Sequence, residues 1–205
     1  MPELIVRRDG PIGRVIISNP AKYNAMSTDM WAALPKALEQ HDADPEVRLV
    51  VIEGDGDKAF VSGADISQFE TERSGGERKG RDGEAGGAAY GGPPRCSKPG
   101  VGKIRGACFG GGLGLAAACD IRFARDDARF RMPAGRLGLG YNAIGVRRFL
   151  DVFGLQNTMD IFFSARIFGA EDAVRMGFVS RTAPAESFDQ MVDEWCANVA
   201  ENAPL

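Results

Sequence analysis

The sequence predicts an α/β fold, and three observations carry that expectation. The segment "VRLVVIEGDGD" is an apolar run ended by glycines, which is how a strand buried on both faces reads. A helical pattern directly precedes it, so helix and strand form a crossover unit. Helical and strand-like segments then alternate to the end of the chain, with glycines at the joints.

Taken in order, "ELIVRRDGPIGRVIISNP" gives two β-rich runs around Asp9-Gly10-Pro11, a hairpin with turn residues where a turn needs them. "STDMWAALPKALEQHDADPE" offers Ser27 or Thr28 as a helix cap ahead of Met30, Trp31, Leu34 and Leu38 at helical spacing. Pro35 is expected to kink that helix or mark its late start. Residues 74–94, "SGGERKGRDGEAGGAAYGGPP", have no apolar periodicity and read as a Gly-rich loop or a disordered insert. Order returns at Gly100, with "GVGKIRG" as a strand, Gly112 to Ala118 as a helix and "DIRFARDDARFRMP" as two short strands about Arg125 to Asp127. "AIGVRRFLDVFG" and "LQNTMDIFFSAR" are amphipathic helices separated by Gly154. A short helix ended by Gly177, a strand and the helix of "AESFDQMVDEWCANVAENAPL" close the chain. No sequence repeat is evident.

With 205 residues, 44% hydrophobic and 26% charged, residues 1–205 read as a single domain able to bury a core. The formal net charge of -3 gives no electrostatic case for nucleic acid, and Arg78, Lys79 and Arg81 read as a solvated loop. Cys96, Cys108, Cys119 and Cys196 lack CxxC spacing, so they are expected as reduced thiols in a cytoplasmic setting, with no metal site. No apolar run reaches the length of a membrane span, and a membrane partner is not expected.

The chemistry turns on "GACFGGGLGLAAACD", where glycines stand directly before a helix despite their cost there. The GxGxxG spacing of a dinucleotide site is absent, and no GK[ST] follows as a phosphate loop requires. Ser62 lacks a GxSxG elbow, and the one histidine, His41, reads as a surface residue on a polar helix end. Two readings of the glycines remain. Backbone N–H groups at a helix amino terminus face an oxyanion, with a second donor supplied by "SGAD" at Ser62 to Asp65. Alternatively, Gly112 and Gly114 let helix and strand approach closely.

Four segments, "SNPAKYNAMS", "AFVSGADISQF", "KIRGACFGGGLGLAAACDIRFARDDARFRMPAGRLGLGY" and "FFSARIFGAEDAVRMGFVSR", together resemble the enoyl-CoA hydratase/isomerase (crotonase) superfamily. The resemblance implies a spiral of ββα units and an acyl-CoA substrate, with coenzyme A entering as part of the substrate and no separate cofactor. It puts oxyanion donors on the N–H groups of Ala64 and Gly111, with Gly110 and Gly112 as the tight turn that aims the second. Ala64, Asp65, Ile66 and Ser67 would line the coenzyme A side, and Lys22 would lie near its phosphates. The family's two water-activating glutamates fall on Gly114 and Ala134, neither of which transfers a proton. Tyr141 and Asn142 match a loop of methylmalonyl-CoA decarboxylase-like members, although Asp65 stands where those members carry histidine. Tyr141 and Asp65 are therefore the side-chain candidates for catalysis, and a non-catalytic acyl-CoA-binding relative is the alternative. The resemblance further implies trimers or hexamers, through C-terminal helices expected beyond Leu205.

Overall fold

In the computed structural model, described over residues 2–65, 96–138, 140–141 and 143–203, short strands divide between two sheets. Strands β1 (Glu3–Asp9) and β2 (Ile12–Ser18) pair antiparallel, with Asp9 opposite Ile12 across the Gly10-Pro11 turn. Gly10 takes φ 58°, the left-handed conformation that such a turn demands.

Helix α1 (Thr28–Ala43) is capped by Ser27, whose Oγ accepts the Met30 N–H at 3.2 Å. It runs through Pro35 without restarting, while Met30, Trp31, Leu34 and Leu38 are buried. Proline forfeits one helical hydrogen bond. Burying those side chains offsets it at about 1.5–3 kcal/mol each.

Strand β3 (Leu49–Gly54) shows the doubly buried pattern directly. Val50 and Ile52 join one core, while Leu49 and Val51 join another on the opposite face. It pairs parallel with β2 and with β5 (Gly100–Ile104), and β5 pairs parallel with β7 (Ile121–Arg125). Strand β10 (Arg181–Ala183) completes a six-stranded sheet in the order β1-β2-β3-β5-β7-β10. The second sheet, β4-β6-β8-β9, is built from β4 (Ala59–Val61), β6 (Ala107–Phe109), β8 (Arg129–Arg131) and β9 (Ile167–Gly169). Consecutive pairs β3/β4, β5/β6 and β7/β8 thus place one strand in each sheet. The result is the expected spiral of ββα turns, repeated in structure without a repeat in sequence.

Helix α2 (Gly111–Ala118) follows β6 and lies in the core, with Gly112 through Ala118 buried. A short α3 (Ala134–Leu137) leads to α4 (Ala143–Ser164), which breaks at Gly154 (φ 72°, ψ 169°) where the sequence separates two helices. After α5 (Ala170–Arg175), α6 (Ala185–Glu201) lays Phe188, Val192 and Cys196 on the outer face of the large sheet. Charges surround that contact. Lys103, 4% exposed, lies 2.9 Å from Asp189, and Glu53 sits between Arg14 at 2.9 Å and Arg105 at 3.1 Å.

Residues 74–94 lie outside the described residues. Among the described residues, no helix is long and apolar enough to cross a membrane, and no three metal-binding side chains cluster.

Candidate functional site

Strand register builds the site. In the parallel β4–β6 pair Val61 stands opposite Cys108, so Ala64 and Gly111 each lie three residues beyond matched positions. A Cβ added at Gly63, whose φ is 122°, would lie 3.6 Å from the Phe109 carbonyl oxygen, so the two chain segments run side by side there.

Each segment ends on a backbone N–H with no acceptor among the described residues. Met26 brackets Ala64: its N–H donates to the Gly63 carbonyl and its carbonyl accepts the Asp65 N–H, both at 2.9 Å. In a parallel ladder the bracketed residue's own N–H faces away from that partner. Gly111 opens α2, so no carbonyl one turn earlier can accept its N–H. Among the described residues, neither the Ala64 nor the Gly111 N–H has an acceptor. Ala64 is exposed and Gly111 partly so.

The two readings of the glycine run apply to different glycines. Gly110 makes the turn, with φ 52° and ψ -115°, its N–H on the Arg131 carbonyl at 2.9 Å and its own carbonyl accepting Gly114 N–H at 3.1 Å. Gly112, expected in that turn, instead lies within α2. A Cβ there would fall 2.1 Å from the Val61 carbonyl oxygen, so Gly112 lets α2 seat directly on β4.

The segment after β2 holds Met26 in place. Asn19 and Asn24 are buried, and the Asn19 N–H donates to Asn24 Oδ1 at 3.0 Å. Asn24 Nδ2 donates to the carbonyls of Asp55 at 3.0 Å and Ala59 at 2.8 Å, while Asn19 Nδ2 donates to that of Ala25 at 2.8 Å. These amides fix both "SNPAKYNAMS" and the start of β4, a role that sequence reasoning did not assign. Ser62 completes the junction, with its N–H on the Tyr23 carbonyl and its Oγ on the Lys22 carbonyl, each at 3.1 Å.

Lys22 and Asp65, expected in separate roles, are paired. Lys22 Nζ lies 2.8 Å and 3.1 Å from the Asp65 carboxylate oxygens, with Asp65 7% exposed and the lysine half-exposed. The ion pair sets the lysine ammonium against a carboxylate that is itself buried.

Tyr141 packs by its ring, edge-on to Phe162 at 5.4 Å and to Phe149 at 6.3 Å between centroids. Ile66, Ser67 and Asn142 lie outside the described residues. Gly114 is buried in the first turn of α2. Ala134 starts α3 just after Pro133, whose Cγ and Cδ would lie 3.7 Å from a Cβ on Gly110. The two positions implied for glutamates thus flank the amide end of α2, and neither carries a titratable group. The buried thiols of Cys108 and Cys119 do not substitute for them. Burial pushes Cys108 well above its ordinary pKa and Cys119 up to about 12, so both stay protonated at neutral pH.

His41 is not a surface residue. It is 3% exposed, with Nε2 3.2 Å from the Arg14 carbonyl oxygen, and a Cβ on Gly13 would fall 2.7 Å from its ring. Its burial depends on a glycine 28 positions earlier, which no local pattern announces.

The family profile described as enoyl-CoA hydratase/isomerase matches residues 7–205. A peroxisomal Delta(3,5)-Delta(2,4)-dienoyl-CoA isomerase of Arabidopsis thaliana is 32% identical, over 98% of this chain and 77% of that one. A short-chain-enoyl-CoA hydratase of Clostridium acetobutylicum is 29% identical over the same shares. Among solved structures, an enoyl-CoA hydratase/isomerase family protein from Hyphomonas neptunium superposes with a TM-score of 0.92 at 35% identity, covering 98% of this chain and 76% of that one.

Proposed function

From the premise that the chain belongs to the enoyl-CoA hydratase/isomerase family, we propose that it is a lyase or isomerase of acyl-CoA thioesters. In this reading the Ala64 and Gly111 N–H groups polarise the thioester carbonyl. The observation that carries it is the pair of N–H groups, without acceptors among the described residues, at the matched ends of β4 and β6. Negative charge moving onto the carbonyl oxygen as an enolate forms would meet two donors already in place, one at the positive end of a helix dipole.

The proton chemistry narrows the reaction. Hydration needs a carboxylate pair to orient and deprotonate water, and Gly114 and Ala134 supply none. A reaction that starts by losing carbon dioxide needs no base: the C–C bonding pair flows into the thioester carbonyl, and the enolate then takes a proton from water at the α-carbon. Tyr141 is the side chain proposed near the reacting carbons. Lys22, already on Asp65, is proposed at the mouth of the site towards the coenzyme A phosphates.

Leu155, Met159 and Phe163 are exposed at helical spacing on α4, with Phe163 81% exposed, and this apolar stripe supports association of like chains as trimers. Sedimentation equilibrium tests it: a trimer is expected, and a monomer at all concentrations contradicts it.

The direct test of function offers crotonyl-CoA and methylmalonyl-CoA to the purified protein. Turnover of methylmalonyl-CoA is the expected result. Turnover of crotonyl-CoA alone would contradict the proton chemistry. Saturable acyl-CoA binding with no turnover of either would favour a binding protein.

A further inference from the structure

Helix α2 is held in an unusual way. Its sequence, GGLGLAAA, has no polar side chain, so packing alone gives no directional bond that fixes its rotation or its slide along its axis. Directional contacts come at its ends. At the amino end, the Gly110 N–H meets the Arg131 carbonyl. At the carboxyl end stands Arg122, on β7 and only 9% exposed.

Arg122 makes a fork under the helix. Its Nη1 donates to the Cys119 carbonyl at 2.6 Å and the Ala116 carbonyl at 3.4 Å, and its Nε donates to the Phe178 carbonyl. The guanidinium carbon lies 5.3 Å from the Phe178 ring centroid. The Arg122 stem lies over Gly102, its register partner on β5, where a Cβ would lie in van der Waals contact, 3.4 Å from Arg122 Cγ. Last-turn carbonyls lack helical partners, and a cation there complements the helix dipole. Burying a guanidinium is nevertheless costly, and a helix so apolar on every side would stay in the core without one.

We propose that Arg122 is a positioning residue for the oxyanion site: by clamping the carboxyl end of α2 it fixes where the Gly111 N–H points. This rests on the reading of Gly111 as a donor. The helix is about 12 Å long and rigid, so a shift at one end is passed to the other. Misplacement by about 1 Å costs on the order of 10²-fold in rate at a reacting centre. A purely structural Arg122 would lower stability when replaced but leave the donor aligned in the molecules that fold.

The test uses butyryl-CoA carrying ¹³C at the thioester carbonyl, read by difference infrared spectroscopy on the full chain. Binding to the unaltered protein should lower the carbonyl frequency. Arg122→Met should lose most of that shift while still binding butyryl-CoA, and Arg122→Lys, which keeps the charge without the fork, should recover part of it. Arg166→Met removes another cation over a ring, that of Phe168 at 5.7 Å, and should leave the shift unchanged. A full shift in Arg122→Met would overturn the proposal. If that variant does not fold, Arg122→Lys decides: a reduced shift supports the proposal and a full one overturns it. No shift in the unaltered protein would defeat the donor reading itself, and with it this inference.

Discussion

Two layers on opposite faces of the large sheet use contrasting chemistry. Under α6, an apolar contact is ringed by paired charged side chains: Lys103 on Asp189, and Glu53 between Arg14 and Arg105. Between the sheets, at the ends of β4 and β6, the proposed functional groups are main-chain amides, set by strand register and a glycine turn. On the proposed reading, the charged side chains of the first layer serve architecture, and the backbone amides of the second serve an oxyanion. Backbone donors suit that task, because they carry no proton to lose and do not reorganise as charge develops.

The largest expected effect breaks the amide layer alone. Gly111→Pro removes one donor at the first position of a helix, where proline is tolerated, so turnover should fall on the order of 10²–10³-fold with little change in melting temperature. Steady-state kinetics beside a thermal melt checks it, and unchanged kcat would remove Gly111 from the site. The converse break is Glu53→Gln, which takes the carboxylate from between two buried guanidiniums. It should cost about 3 kcal/mol of stability with kcat intact, measured by denaturant unfolding and assay.

Gly112→Ala sharpens the comparison by joining the two readouts. With its Cβ directed at the Val61 carbonyl oxygen, α2 must lift from β4, at a cost of about 1–3 kcal/mol. Activity should fall further than stability explains, because Gly111 moves with the helix. A proportionate loss of both would uncouple α2 from the site.

The smallest effect is acid sensitivity of the charged layer. Burial pushes the Asp189 carboxyl up, but Lys103 and Arg105 outweigh it and hold the carboxyl below its usual 3.8. Its folded pKa is thus depressed, so its stabilisation is complete above the unfolded value and is lost as pH falls through the folded one. Asp189→Asn should flatten the stability-pH curve below about pH 4 and leave it parallel above. Identical slopes in the two proteins would contradict the pairing.

Much of the fold was legible where the signal is local. The Asp9-Gly10-Pro11 turn, the Ser27 cap, the doubly buried β3 and the break at Gly154 each follow from neighbouring residues. Strands β4, β6 and β9 escaped notice because three residues cannot display a period of two, and only flanking turn residues marked the equally short β8 and β10. Long-range pairings were also hidden. Lys22 meets Asp65 across 43 positions, and His41 is buried by the absence of a side chain at Gly13. At the site, the glycine run announced a special backbone, but only the packing of Gly112 on Val61 separates the glycine that turns the chain from the one that seats the helix.

The central claim is that Ala64 and Gly111 share one thioester oxygen. A crystal structure of the protein with bound butyryl-CoA tests it most directly. The thioester oxygen is expected about 2.7–3.1 Å from both amide nitrogens, the range that an oxyanion hole requires. A thioester carbonyl that meets neither nitrogen, or only one of them, would contradict the account.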